Sequence, residues 1–387
     1  MAKNTFFSRR SIRSLLRGSL GYIFGKRGER RVYLWRIYYR LRAMAMVSPD
    51  ESVQEMVRSI DAKLWVDEEA FPRIRKLLRG ARHTIVIQMF IWKDDELGRS
   101  IASLLTTCAD RGVRVYVIKE AVGDFFEFQG DFVSTKSESN EVWKRFWNHP
   151  NIRITHATNN DHSKVYIIDD KIMLLTGMNI ADEYHRSWHD YLVELRGESF
   201  VQHYLTNGDI AGPSHPIRIV MNTKERKEIR GAVLEVIRGA QQSIVFEQCY
   251  LSDPQIVDEI IGLTKRGVDV TVVIPKKNDI HYNANMSAIG RIIAESDPRH
   301  LKAFLYPRVV HGKIILADKK TAFVGSANLI TSSLDEMGEV NVLIKDGADR
   351  AVQKLRDVLR EDILQSQPLL GPPPLWWFNR FLAWLNL

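Results

Sequence analysis

Short apolar runs alternate with helical stretches along most of this chain. TIVIQMF (84–90) is apolar and rich in β-branched residues, as a buried strand is. IASLLTTCADRG (101–112) has helical periodicity and ends at Gly112, and VRVYVI (113–118) reads as the next strand. The same order returns in SIVFEQCYL (243–251), DEIIGLTKRG (258–267) and VDVTVVI (268–274). Strands separated by helices predict layered α/β domains.

The two series are copies of one another. ARHTIVIQMFIW (81–92) resembles AQQSIVFEQCYL (240–251), and CADRGVRVYVI (108–118) resembles LTKRGVDVTVVI (263–274). An internal repeat of this length predicts two similar α/β halves, each a mixed sheet flanked by helices. The turn-rich stretch DIAGPSHP (209–216) lies between them. The expected division is therefore 56–212 for the first half and 213–368 for the second.

Both ends differ from this body. Residues 1–49 hold twelve Lys and Arg against one acid, Glu29, a net +11; the whole chain is +8, so the remainder is −3. Residues 1–55 read as a basic amphipathic arm in which Phe6, Phe7, Leu15, Leu16, Leu20, Ile23 and Phe24 are interleaved with cations. Such an arm suits an interfacial helix on anionic lipid, and residues 1–28 also fit an organelle transit peptide. The segment 30–44 continues the basic-aromatic character, which favours the interfacial helix. At the other end, 369–387 contains LWWFNRFLAWLNL (375–387), with three tryptophans in 13 residues. It fits a membrane-water boundary or a helix docked on the core. No stretch reaches the roughly 18–20 apolar residues of a membrane-spanning helix. Two cysteines, Cys108 and Cys249, form neither a disulfide framework nor a metal-ligand pattern.

One motif occurs in each half. His162, Lys164 and Asp169 lie in HSKVYIID, followed by TGMN (176–179). His311, Lys313 and Asp318 lie in HGKIILAD, followed by GSAN (325–328). On a strand, residues two apart share a side, so each histidine is expected to project with its lysine. Asp169 and Asp318, at the strand ends, are expected to anchor the motif. Imidazole, ammonium and carboxamide gathered twice suit a phosphodiester. Lys164, Lys313, Asn179 and Asn328 would bind its non-bridging oxygens. One histidine would attack phosphorus and the other protonate the departing oxygen. With lysines supplying the charge, the chemistry calls for no metal and no cofactor. Asp190 and Glu339 each lie 11 residues past a motif asparagine and are candidates to hold the imidazoles. His185 and His189 flank the first site and are candidates to line the pocket.

With both motifs in view, the sequence resembles the phospholipase D superfamily over roughly residues 60–365. Within it, GMNIADEYHRSWHDY (177–191) and GSANLITSSLDEMGEVNV (325–342) are similar to segments of bacterial cardiolipin synthases. The resemblance implies two halves sharing one active site, His162 as nucleophile and His311 as acid/base. It also implies phosphate contacts from Lys164, Lys313, Asn179, Asn328, Ser326 and Gly177, with Asp190 and Glu339 orienting the histidines. Gly177 stands in the Ser/Gly slot, while Thr176 departs from the usual Gly and is expected to alter the pocket wall.

The expected activity is transfer of a phosphatidyl group between phospholipids, with hydrolysis as the outcome when water is the acceptor. The expected partners are phospholipid substrates and an anionic membrane surface, placing the protein peripherally on a bacterial inner membrane. A nuclease of the same superfamily is the alternative. The body's −3 argues against nucleic acid, because a nucleic-acid groove is usually strongly basic. A non-enzymatic scaffold would leave two complete motifs unexplained.

Overall fold

The computed structural model describes residues 62–374 except 122, 124–137, 158–159, 207–215 and 278–279, with the side chains of 138–140 also outside it. The arm at 1–55, the tail from 375 and the stretch around the expected 212/213 boundary lie outside the described residues.

Each half is a mixed sheet. The first contains β1 (Lys63–Val66), β2 (Thr84–Met89), β3 (Arg114–Glu120), β4 (Ile152–Ala157), β5 (Lys164–Ile168), β6 (Ile172–Thr176) and β7 (Tyr191–Arg196). The second contains β8 (Ile217–Asn222), β9 (Ser243–Gln248), β10 (Asp269–Pro275), β11 (Leu301–Tyr306), β12 (Lys313–Ala317), β13 (Thr321–Gly325), β14 (Glu339–Ile344) and a short β15 (Gln367–Pro368). Strand orders are β1-β7-β6-β5-β2-β3-β4 and β15-β11-β10-β9-β12-β13-β14-β8. Reading β1 as β8, β2 as β9 and so on, the second order is the first reversed in writing, with β15 added at the edge. In both, three strands pair in parallel (β2-β3-β4; β9-β10-β11) and the motif strand joins antiparallel to β2 or β9.

Helices cover the sheets: α1 (Ala70–Arg79), α2 (Glu96–Asp110), α3 (Glu138–Asn148), α4 (Asp182–Arg186) and α5 (Glu198–Thr206) in the first half, then α6 (Ile229–Gly239), α7 (Pro254–Lys265), α8 (Tyr282–Glu295) and α9 (Arg350–Gln365). Their starts follow from capping. Asp95 and Asp253 accept the backbone N–H of Gly98 and Ile256, at α2 and α7. Pro254, at the first position of α7, loses no intrahelical bond.

Each sheet has one core on its outer face: Ile85, Ile87, Val115, Ile101 and Leu105 in the first half, Phe246, Val270, Val272, Ile256 and Ile260 in the second. A third core joins the halves. Val165, Ile167, Leu175 and Val193 face Ile314, Leu316, Val324 and Val342, with α5 and α9 closing the edges. Packing β5-β6-β7 against β12-β13-β14 brings the two motif strands together. Past the second half, Pro372 and Pro373 sit against Gly290 in α8.

Candidate active site

The motif histidines sit just ahead of their strands, not on them, because β5 begins at Lys164 and β12 at Lys313. The expectation of strand histidines is corrected here, and the cause is the other half of the protein. The residues before each strand leave their own sheet and bridge across: Asp161 pairs with Gly338, and Val310 with His189. His162 N–H donates to the Gly338 carbonyl at 2.7 Å, and His311 N–H to the His189 carbonyl at 2.7 Å.

Gly338 and His189 immediately precede the two acids, so the bridges fix which acid meets which imidazole. His162 Nδ1 lies 3.1 Å from Glu339 Oε1, and His311 Nδ1 lies 2.6 Å from Asp190 Oδ2. Each half gives its acid to the other half's histidine, and neither half is complete alone. With Nδ1 on an acid, Nε2 is the nitrogen turned to chemistry; in His311 it has Lys313 Nζ 3.2 Å away. Lys164 Nζ donates to the His162 carbonyl at 2.6 Å, and Lys313 Nζ to the His311 carbonyl. Both lysines are buried, as are Asp190, Glu339 and His311.

Burial sets the electrostatics. It pushes the Lys164 ammonium from 10.5 down to about 7, against the pull of Glu339. It raises the Asp190 carboxyl to about 7, opposed by Lys313. Burial, then Lys164, holds the His162 imidazole below its ordinary value, which favours the neutral ring. Aromatic rings wall the site: Phe90 meets His162 edge-on at 4.9 Å, while Tyr184 and Trp188 lie 5.0 and 5.3 Å from His311. Lys164 Nζ is 5.2 Å from the Phe90 centroid.

The remaining motif residues divide differently from the sequence expectation. Ser326 and Gly177, expected on the substrate phosphate, both face the acids. Ser326 Oγ donates to Glu339 Oε2 at 2.5 Å, and Ser333 Oγ to Oε1 at 2.8 Å. A Cβ on Gly177 would lie 2.7 Å from Asp190 Oδ2. Asn179, also expected on phosphate, uses both ends of its amide inside the protein: Oδ1 accepts from Ile91 N–H (3.0 Å) and Nδ2 donates to Tyr184 Oη (2.7 Å). Asn328 is buried beside Ser326 with its Oδ1 unpartnered. Thr176 Oγ1 donates to the Tyr191 carbonyl, tying β6 to β7 at the acid.

Asp169 accepts from the N–H groups of Arg82, His83 and Thr84; Asp318 accepts from Gln241, Gln242 and Ser243. Each thus ties the end of its motif strand to the start of the neighbouring strand. His185 packs edge-on to Phe71, whereas His189 is buried directly behind His311.

Comparison with known families adds to this geometry. A family described as cardiolipin synthase, PLD-like domain, matches residues 74–207 and 233–363, well over half of the chain. The chain belongs to this family. The first matched stretch runs from α1 past α5 and takes in β2 to β7; the second runs from α6 into α9 and takes in β9 to β14. Cardiolipin synthase B of Shigella flexneri is 25% identical over 351 residues, covering 80% of this chain and 83% of that protein. A cardiolipin synthase of Listeria monocytogenes is 26% identical over 347 residues, covering 80% and 70%. Among solved structures, a phosphatidylserine synthase from Haemophilus influenzae shares the fold, with a TM-score of 0.66 at 14% identity, covering 85% of this chain and 91% of that one.

Sequence reasoning missed the aromatic walls and Ser333. Tyr184 and Trp188 carried a signal, since both lie in the short segment between Asn179 and Asp190. Phe90 and Ser333 carried none, because their approach depends on how the loops fold over the strand ends.

Proposed function

We propose that this PLD-type enzyme transfers a phosphatidyl group from one phospholipid to the hydroxyl of another through a covalent intermediate on His162. The observation that carries the reading is the crossed pairing of His162 with Glu339 and of His311 with Asp190. Two imidazoles held alike from opposite halves can take opposite parts in one displacement. In the first step His162 Nε2 forms a bond to phosphorus as the bond to the leaving oxygen breaks. His311 gives that oxygen its proton. In the second, neutral His311 takes the proton of the incoming hydroxyl, whose oxygen attacks phosphorus and releases His162. Lys164 and Lys313 turn from the histidine carbonyls to the non-bridging oxygens, with Asn328 as a further donor. Water as acceptor makes the same enzyme a hydrolase.

The names of the relatives support cardiolipin or a similar product. Among the described residues no helix is long and apolar enough to cross a membrane. The sequence of the basic arm and of the tryptophan-rich tail supports contact with an anionic bilayer as a peripheral association. The −3 body keeps nucleic acid a poor substrate.

The test is incubation of the full chain with vesicles of phosphatidylglycerol and phosphatidylethanolamine, lipids being read by mass spectrometry. Cardiolipin formed by the wild type and absent with His162→Ala is the expected result. Phosphatidic acid alone would replace transfer by hydrolysis, and unchanged lipids would overturn the reading.

A further inference from the structure

The two arms of the site are alike in backbone and unlike in support. His189 and Gly338 occupy the same place in the repeat, each accepting the N–H of a motif histidine and each preceding an acid. At Gly338 there is no room for a side chain, since a Cβ would fall 2.7 Å from Asp161. Its arm is held by two hydroxyls on Glu339. The His189 arm is held by charge.

We propose that His189, locked by Asp67, Tyr191, Glu247 and Asp362, is a positioning residue that holds His311 and Asp190 in register for proton transfer to the leaving oxygen. The proposal rests on the role given to His311 above. The His189 carbonyl accepts from both His311 N–H (2.7 Å) and Gly312 N–H (3.1 Å). Its ring is 98% shielded from solvent. Nδ1 lies 2.8 Å from Asp67 Oδ1. Nε2 lies 2.9 Å from Tyr191 Oη, 3.2 Å from Asp362 Oδ2 and 3.4 Å from Glu247 Oε1. The ring stacks on Tyr306, with centroids 5.2 Å apart.

Asp67, Tyr191 and Glu247 of this cage also touch the catalytic stretch or its flank. Asp67 brackets Asp190: its Oδ1 accepts the Asp190 N–H at 3.0 Å, and its own N–H donates to the Asp190 carbonyl at 3.0 Å. Asp67 adopts φ 49, a left-handed conformation held by these bonds. Arg308, three residues before His311, donates to Asp67 Oδ2 at 2.6 Å. Tyr191 Oη donates to Glu247 Oε1 at 2.6 Å, and a Cβ on Gly312 would meet Tyr191 at 2.7 Å and Glu247 at 3.1 Å. The cage therefore fills the space beneath the one residue separating His311 from Lys313.

Its groups come from the turn after β1, from β7, β9, β11 with the following loop, and from α9, so both halves converge on one imidazole. The charges facing that ring are Asp67, Glu247, Asp362 and, through Asp67, Arg308. Burial opposes a charge there, but Glu247, Asp362 and Asp67 outweigh it, and His189 stays protonated well above its ordinary range. An imidazolium tied to several carboxylates is a stiff joint, because no single bond can rotate without exposing a buried charge.

The test compares His189→Gln with the full-length wild type on two donors, phosphatidylglycerol and phosphatidyl-p-nitrophenol. The second leaves as a stabilised phenolate and needs no proton. Misplacing an acid by a fraction of an ångström removes much of its ~10²–10⁴-fold contribution. In single-turnover rapid quench, which reads formation of the His162 intermediate before His311 is needed as a base, the rate on phosphatidylglycerol should fall about 10–100-fold with half-saturation changed less than about 3-fold, and the rate on phosphatidyl-p-nitrophenol should fall less than about 3-fold. If His189→Gln does not fold, Tyr191→Phe, which keeps the ring volume, should show the same selectivity. Equal losses on both donors would overturn the positioning role. A wild type inactive on both donors would overturn the transfer reading beneath it.

Discussion

Lys164 is the buried cation whose removal reads the electrostatics of the site most directly. Its ammonium is fully shielded, and burial is the largest influence on it, moving it from 10.5 to about 7. That fall is equivalent to roughly 4–5 kcal/mol of preference for the neutral amine in the folded protein, at about 1.4 kcal/mol per pH unit. The sign follows from proton counting. Between about 7 and 10.5 the unfolded chain binds the proton and the folded chain does not, so stability rises with pH across this window. Lys164→Met has no such group and lacks this rise. The stability of the variant minus that of the wild type should therefore shrink by about 2–3 kcal/mol between pH 8 and pH 10. Asp190, at about 7, is largely ionised above pH 8, so its own titration stays out of the window. Urea unfolding of both proteins at matched pH gives the difference directly, because lysines and tyrosines elsewhere titrate in both and cancel. A difference that is flat from pH 8 to pH 10, or that grows, would refute the assignment of a depressed Lys164. A correct assignment carries a functional corollary: a phosphodiester arriving beside Lys164 restores its charge, so donor binding near pH 8 should take up a proton, measurable by calorimetry in two buffers of different ionisation enthalpy.

Gly177→Ala places a methyl 2.7–2.8 Å from both Asp190 oxygens, and the carboxylate must shift by a few tenths of an ångström. The expected result is a roughly 10-fold lower kcat with little change in thermal midpoint, checked by kinetics and calorimetry. Asp318→Ala frees three backbone N–H groups and should destabilise the chain by about 2 kcal/mol at neutral pH. Burial tends to raise the Asp318 carboxyl, yet those N–H donors hold it below 3.8; its stabilisation is thus present above that value and fades as pH falls through the depressed one, which urea unfolding at pH 3 and pH 7 would show. Deleting residues 375–387 should weaken sedimentation with phosphatidylglycerol vesicles while leaving turnover of detergent-dispersed donor within about twofold; unchanged sedimentation would assign the tail to the core.

The repeat was legible because its strands are short, apolar and β-branched, and because His162, Lys164 and Asp169 recur as His311, Lys313 and Asp318 at unchanged spacing. The anchoring aspartates were legible for a local reason: a carboxylate at a strand end meets free N–H groups of the neighbouring strand. The crossed pairing was not. Asp190 and Glu339 stand at the same distance from their own asparagines, and a symmetric pattern cannot say whether an acid serves its own half or the other. That choice is made by the apolar faces of β5-β6-β7 and β12-β13-β14, which pack together and set Gly338 beside His162 and His189 beside His311. Ser326 was misread on the same ground. Its Oγ lies one β-ladder step from Glu339, and only the β13-β14 register reveals that it supports the acid.

Asymmetry follows from this packing. A duplicated chain begins with two equal histidines, yet a displacement needs one to attack and one to move a proton. Here the backbone keeps the equality, through matched bridges and matched acids, while side chains break it. Two neutral hydroxyls steady Glu339 behind His162, and an ionic cage steadies Asp190 behind His311. The two hydroxyls fix both Glu339 oxygens and so hold the carboxylate against His162. A buried carboxyl near 7 can exchange a proton with the imidazole it holds, which suits the partner that must gain and lose one in every cycle. Converting one support into the other should thus weaken the division of labour before it weakens the fold. Ser326→Ala tests this: loss of the shorter Glu339 hydrogen bond should slow formation of the phosphoenzyme, read by rapid quench, more than its breakdown.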